Sequence, residues 1–134
     1  MSKDYINPAS LFPSLKYGFS QIVTSQGGRT VYLSGQTPWN AKEQIVGTTR
    51  REQMRQSLKN IQSAMEAVGG SLKDVVSLRI YMVDYKPDEE INMIVNSLKE
   101  FFPDGNPPAT TWIGISSLAV KDYLIEIEAT AVLE

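Results

Sequence analysis

Two stretches of the chain repeat apolar residues at helical spacing, and shorter segments around them alternate as strands do. From Thr49 to Val68 the apolar positions Met54, Leu58, Ile61, Met65 and Val68 lie four or three residues apart. That spacing places one continuous stripe along a helix of about five turns. Gly69-Gly70 supplies the stop, and Ser71-Leu72-Lys73-Asp74 reads as a short capped turn. A second stripe, Ile91, Ile94, Val95, Leu98 and Phe102, follows Pro87-Asp88-Glu89-Glu90. Proline suits a first helical turn, and the acids sit at the positive end of the dipole. Pro103, Gly105, Pro107 and Pro108 end this second helix.

Strand patterns fill the remainder. Phe19 to Val23 and Thr30 to Ser34 are β-rich, and Gln26-Gly27-Gly28-Arg29 between them predicts a hairpin turn. The segment from Met1 to Lys16, with Pro8 and Pro13, is expected to be irregular. A short extended piece is expected near Ile45 and Val46. Val76, Leu78, Ile80 and Met82 alternate with Val75, Ser77, Arg79 and Tyr81, which predicts a strand that buries the first set. Two more strands follow, at about Thr110–Ser116 and Tyr123–Val132. The order β-β-(β)-α-β-α-β-β, without repeat or linker, predicts one α+β domain over residues 1–134, a mixed sheet with two helices packed on one face. The other face then needs solvent or a partner. Ser77, Arg79 and Tyr81 give it the mixed character of a subunit interface.

Composition narrows the chemistry more than the fold. With 134 residues, 42 % apolar and 21 % charged, the chain is an ordinary globular domain with room for a core. Its net charge of −2, with no strongly basic half, gives no footprint for nucleic acid. There is no histidine and no cysteine. That excludes a Cys nucleophile, a Ser-His triad, His/Cys zinc sites, thiol redox chemistry and disulfides. Proton transfer falls to Asp, Glu, Lys, Tyr, backbone groups or water. Met1-Ser2-Lys3-Asp4-Tyr5 has no apolar signal core, and no apolar run reaches the length of a membrane span. The expectation is a soluble, cytoplasmic protein without membrane contact. No phosphate-binding glycine loop is present. Arg51, Arg55 and Lys59 read as a solvated helix face, and Asp88-Glu89-Glu90 as helix-start chemistry, so no metal site is expected.

Two features resist these plain readings. Thr110, Thr111 and Trp112 cluster in one C-terminal strand, and Glu126 and Glu128 share one face of the next. Polar groups so placed form either a solvated sheet face or the floor of a ligand site.

Several short segments weigh toward the second possibility: Phe19-Ser20-Gln21-Ile22-Val23, Leu33-Ser34-Gly35-Gln36-Thr37-Pro38, Gln56-Ser57-Leu58-Lys59-Asn60-Ile61 and Ser71-Leu72-Lys73-Asp74-Val75-Val76. With Asp84, Asn92, Phe101-Phe102, Pro108-Ala109 and Ile125-Glu126-Ile127-Glu128-Ala129, their order and spacing resemble the RidA/YjgF family of reactive intermediate deaminases. The resemblance implies a chorismate-mutase-like α+β fold, a homotrimer, and three small-molecule clefts at subunit interfaces. It implies hydrolysis of imines and enamines to 2-oxo acids and ammonia, with no cofactor. Carried over, Glu126 is the carboxylate that positions or activates water, and the Ser34–Gly35 backbone meets the ligand. Asn92 matches a family asparagine near the cleft, with Asn96 as its rival in another helix register. Where the active branch carries an arginine for the substrate carboxylate, this chain has Thr110, and Phe19 replaces the usual tyrosine. Trp112, on the face of Thr110, adds bulk. Losing one partner of a buried charge pair costs about 2–5 kcal/mol, a factor of about 30 to several thousand. Small 2-imino acids are then poor ligands, and a different or larger molecule is favoured. Arg79 lies on another strand, where an interface role suits it better than the cleft. A non-catalytic metabolite-binding or regulatory trimer is the alternative. Ribonuclease or translation-inhibitor activity, attached to some relatives, sits poorly with the acidic balance.

Overall fold

A computed structural model describes residues 1–134 of the chain. The eight main elements are β1 (Ser2–Ile6), β2 (Ile22–Gln26), β3 (Arg29–Tyr32), α1 (Arg50–Ala67), β4 (Val75–Val83), α2 (Pro87–Phe101), β5 (Ala109–Ile115) and β6 (Ile125–Leu133). A four-stranded mixed sheet has the order β3-β6-β4-β5, in which only the β4–β5 pair is parallel. That pair needs a crossover, and α2 provides it. Both helices cover one face: Met54, Leu58, Ile61 and Met65 of α1 and Ile94 and Leu98 of α2 are fully buried against Leu78, Ile80, Met82, Ile125 and Ile127. The two helical stripes therefore land as the periodicity predicts, with one exception. Ile91 stays 39 % exposed, at the rim rather than in the core.

Helix α1 begins at a reciprocal capping box. Thr49 accepts from the Glu52 amide, and the Glu52 carboxylate accepts from the Thr48 and Thr49 amides. These bonds, the Thr48 amide first, hold the Glu52 carboxyl below its ordinary pKa. Ser71 and Asp74 form a second capping box at the 3-10 turn Leu72–Asp74, in agreement with the capped turn expected there.

Three strand expectations are corrected. The N-terminal segment is not irregular throughout, because β1 pairs antiparallel with β2 from Ser2↔Gln26 to Ile6↔Ile22. The Gln26–Arg29 turn does not close a hairpin: β2 belongs with β1, whereas β3 pairs with β6. The cause is a close approach at Gly28, where an added Cβ would lie 2.5 Å from the Leu133 carbonyl oxygen. The turn is thus packed on the end of β6, and β3 leaves it along β6. Finally, a β-bulge between Val75 and Ser77 shifts the register against β6. Val75 takes the buried position expected of Val76, which is only half-buried, while Leu78, Ile80 and Met82 bury as expected.

Two buried polar residues of α1 tie the elements together at one end of the sheet. Arg50, 8 % exposed, donates to the Glu90 carboxylate of α2, to the Leu124 carbonyl (2.5 Å) and to the Asp84 carbonyl (3.1 Å). Gln53 donates to the Asp122 carbonyl (3.1 Å) and accepts from the Leu124 amide (2.7 Å). Both fix the segment that enters β6, the strand carrying Glu126.

Candidate functional site

Opposed residues in a sheet share a face, so the pairing registers decide what can meet. Glu126 lies opposite Tyr81, and Glu128 opposite Arg79, on the face that no helix covers. Thr110 lies opposite Leu78, and Trp112 opposite Ile80, on the helix-covered face. Within one protomer the carboxylates and the Thr110–Trp112 pair are therefore on opposite sides of the sheet. They are also two strands apart, about 10 Å at the usual interstrand spacing.

The two carboxylates differ in their engagement. Glu128 accepts from the Tyr81 hydroxyl at 2.5 Å and lies 3.8 Å from the Arg79 guanidinium. The hydrogen bond to Glu128, more than burial, raises the Tyr81 phenol above its ordinary pKa. Arg79 remains largely exposed, at 63 %. Glu126, half-buried, makes neither a hydrogen bond nor an ion pair to any other protein group. It is the unpaired carboxylate of the two, with all its acceptor capacity available to water or a ligand.

Gly35 sits directly against that free carboxylate. The chain bonds to β6 through Leu33 N–H to the Ala129 carbonyl (3.1 Å) and through reciprocal bonds between Gln36 and Ile127 (2.7 and 3.0 Å). Ser34 and Gly35 bulge out between these anchors, and neither amide makes a hydrogen bond to the protein. A Cβ on Gly35 would come within 2.0 Å of Glu126 Oε2. Only glycine permits this proximity of an unpaired amide and an unpaired carboxylate. The loop beyond is held by Asn60 of α1, whose side-chain amide donates to the Thr37 (2.9 Å) and Trp39 (2.8 Å) carbonyls. Asn60→Ala is expected to cost about 1–3 kcal/mol of stability through those orphaned carbonyls. Denaturant unfolding measures it, and an unchanged midpoint would mean that the loop keeps its place without Asn60.

On the other face, Phe12, Tyr17, Phe19, Ile91, Thr110 and Trp112 line a cavity of about 360 Å³. Phe19 and Trp112 meet edge to face at 5.8 Å, and Phe19 meets Phe12 at 6.0 Å. Trp112 Nε1–H donates to Thr110 Oγ1 at 3.0 Å. Three residues singled out in the sequence, Phe19, Thr110 and Trp112, are thus brought together. Asn92 is exposed and outside this lining, where α2 presents Ile91 instead. Phe12 and Tyr17 escaped the sequence reading because they lie in a proline-broken segment. Their signal was the recurrence of aromatic residues at 12, 17 and 19. Tyr17 puts a tyrosine in the lining beside the phenylalanine at position 19.

Comparison with known proteins agrees with this architecture. Residues 12–133 match the family model described as endoribonuclease L-PSP. A 2-iminobutanoate/2-iminopropanoate deaminase from Dermatophagoides farinae is 35 % identical, with full coverage of both chains. The deaminase of the same name from Escherichia coli K12 is 34 % identical over 78 % of this chain and 80 % of its own length. Among solved structures, a Rid-family protein of unknown function, YyfB from Yersinia pestis, superposes with a TM-score of 0.95 at 37 % identity, covering 99 % of this chain and 100 % of that one. The family match and the shared fold lead to one conclusion: this chain belongs to the endoribonuclease L-PSP family, the group also called YjgF/RidA.

Proposed function

We propose that the protein is a RidA-like deaminase that hydrolyses an imine, enamine or related small molecule in a cleft between two copies of the chain. The observation that carries this reading is the unpaired Glu126 carboxylate beside the unpaired Gly35 amide, on a sheet face without a helix cover. A relative that matches over the full length of the chain is named a 2-iminobutanoate/2-iminopropanoate deaminase, which supports the reaction class. Since Glu126 and the aromatic cavity lie on opposite faces, a ligand touching both requires the second copy. A homotrimer with the chorismate-mutase-like arrangement would supply three such composite clefts.

In this reading Glu126 holds a water and takes its proton as the oxygen bonds to the imine carbon. The C=N π electrons pass to nitrogen, which acquires a proton. The resulting carbinolamine then loses ammonia as the C–N bond breaks and the C=O forms. The Gly35 amide, with Ser34 beside it, donates to the polarised substrate. Phe19, Thr110 and Trp112 of the neighbouring copy shape the substrate end, and Asn92, next in sequence to Ile91 of that lining, would border it. The chemistry calls for no cofactor.

A non-catalytic binding module is the second reading, favoured by the separation of acid and cavity within one protomer. The test has two parts, sedimentation for oligomeric state and ammonia release from freshly generated imines. A trimer that accelerates release supports the proposal. A monomer, or a trimer that accelerates none, overturns it.

A further inference from the structure

The cavity beside Thr110 has a chemistry that narrows the substrate. Four aromatic rings surround it, and successive rings are turned 58°, 69° and 64° to one another, forming a curved wall rather than a stack. No Lys, Arg, Asp or Glu lines it. Lys16, the cation beside this wall, is placed over the Tyr17 ring at 5.1 Å and is not part of the lining. Thr110 Oγ1 already accepts from the Trp112 indole, and its own hydroxyl hydrogen donates to no protein group. The only side chains of the lining with a hydroxyl are the neutral Thr110 and Tyr17.

A carboxylate seated against this lining would displace water and meet no cation of the same protomer, which is unfavourable. An aromatic ring gains instead: rings pack edge to face against Phe and Trp. A cavity of about 150 Å³ is enough for benzene, so this open one, at about 360 Å³, has room for a ring with a substituent. A cationic ring would also be drawn to the aromatic faces, but this protomer's lining holds no carboxylate to complete a cation site there.

We infer that the cavity selects imines or enamines whose carbon bears a neutral aromatic ring, and rejects those whose carbon bears a carboxylate. This rests on the deaminase reading above, with the ring seated against Phe12, Phe19 and Trp112 and the C=N bond directed toward Glu126 of the neighbouring copy. For phenylmethanimine, addition of water at carbon and departure of nitrogen give benzaldehyde and ammonia, with every atom accounted for.

The test compares phenylmethanimine, generated in situ from benzylamine by a flavin amine oxidase, with 2-iminopropanoate generated from alanine by an amino-acid oxidase. Calorimetric titration with acetophenone and with pyruvate reads the cavity without turnover. The expected result is faster ammonia release from phenylmethanimine alone, and binding of acetophenone but not pyruvate. Phe12→Ala, at a position 57 % exposed and free of any core role, should weaken acetophenone binding about threefold to tenfold. Thr110→Arg should raise activity on 2-iminopropanoate by at least about thirtyfold. If the unaltered protein prefers 2-iminopropanoate and ignores acetophenone, the substrate class is wrong while the deaminase reading stands. If no imine is hydrolysed but acetophenone binds in a Phe12-dependent way, the deaminase reading fails and the cavity's selectivity survives. If neither occurs, both fall.

Discussion

Replacing Gly35 by alanine is expected to leave a folded protein with about a hundredfold loss in kcat/KM for imine hydrolysis, the scale of a 1 Å misplacement of a reacting group. The added Cβ would meet Glu126 Oε2 at 2.0 Å and its Cγ at 3.0 Å. The nearest obstacle is the tip of a flexible side chain, so the carboxylate swings away at a cost of about 1–3 kcal/mol. Glu126→Gln removes the proposed base without adding bulk, and its expected loss is larger, about 10²–10⁴ in kcat/KM. The two variants separate position from basicity. Ammonia-release kinetics alongside thermal unfolding would measure both. Full activity in Glu126→Gln would remove this carboxylate from the reaction, and full activity in Gly35→Ala would mean that its placement is unimportant.

Arg50→Ala is expected to destabilise the protein by about 3–5 kcal/mol, the range for removing one partner of a buried ion pair. The guanidinium is 8 % exposed and joins three separate segments: Glu90 at the start of α2, the Asp84 carbonyl after β4, and the Leu124 carbonyl before β6. Truncation would leave a half-buried carboxylate and two carbonyls without their donor. Arg50→Lys should recover only part of the loss, because an ammonium cannot span a carboxylate and two diverging carbonyls as the planar fork does. Urea unfolding at fixed protein concentration would measure both variants, since the proposed assembly would link stability to concentration. A loss below about 1 kcal/mol for the alanine variant would show that the three segments are held by other contacts.

The sequence disclosed elements with strong periodicity and obscured those that depend on distant partners. The α1 stripe and its Gly69 stop were plain because the residues that bury are the residues that repeat. Strand β1 was hidden because Ser2-Lys3-Asp4-Tyr5-Ile6 presents no continuous apolar face, and its partner β2 looked committed to a hairpin with β3, which instead leaves the Gly28 turn along β6. The Val75/Val76 ambiguity could not be resolved from alternation, since both residues are valine and a one-residue bulge selects between them. At the site, the nearness of Gly35 to Glu126 was recoverable only through the family resemblance. That Thr110 and Glu126 face opposite ways was not, because relative facing depends on the register of three strands. Polar residues among the buried positions of α1, Arg50 and Gln53, looked like ordinary surface residues until the sheet-end carbonyls they serve were in place.

The strand carrying Glu126 is the last of the elements in chain order, yet it lies inside the sheet between β3 and β4. Arg29–Tyr32 find their partners only at residues 130–133, about a hundred positions later. A growing chain on the ribosome would therefore hold its two helices and β4 without the strand that joins the sheet's halves. Such wide sequence separation slows folding and prolongs exposure of unpaired edges. Newly made protein should depend on holding chaperones until the final strand emerges, and overexpression that outruns them should yield inclusion bodies.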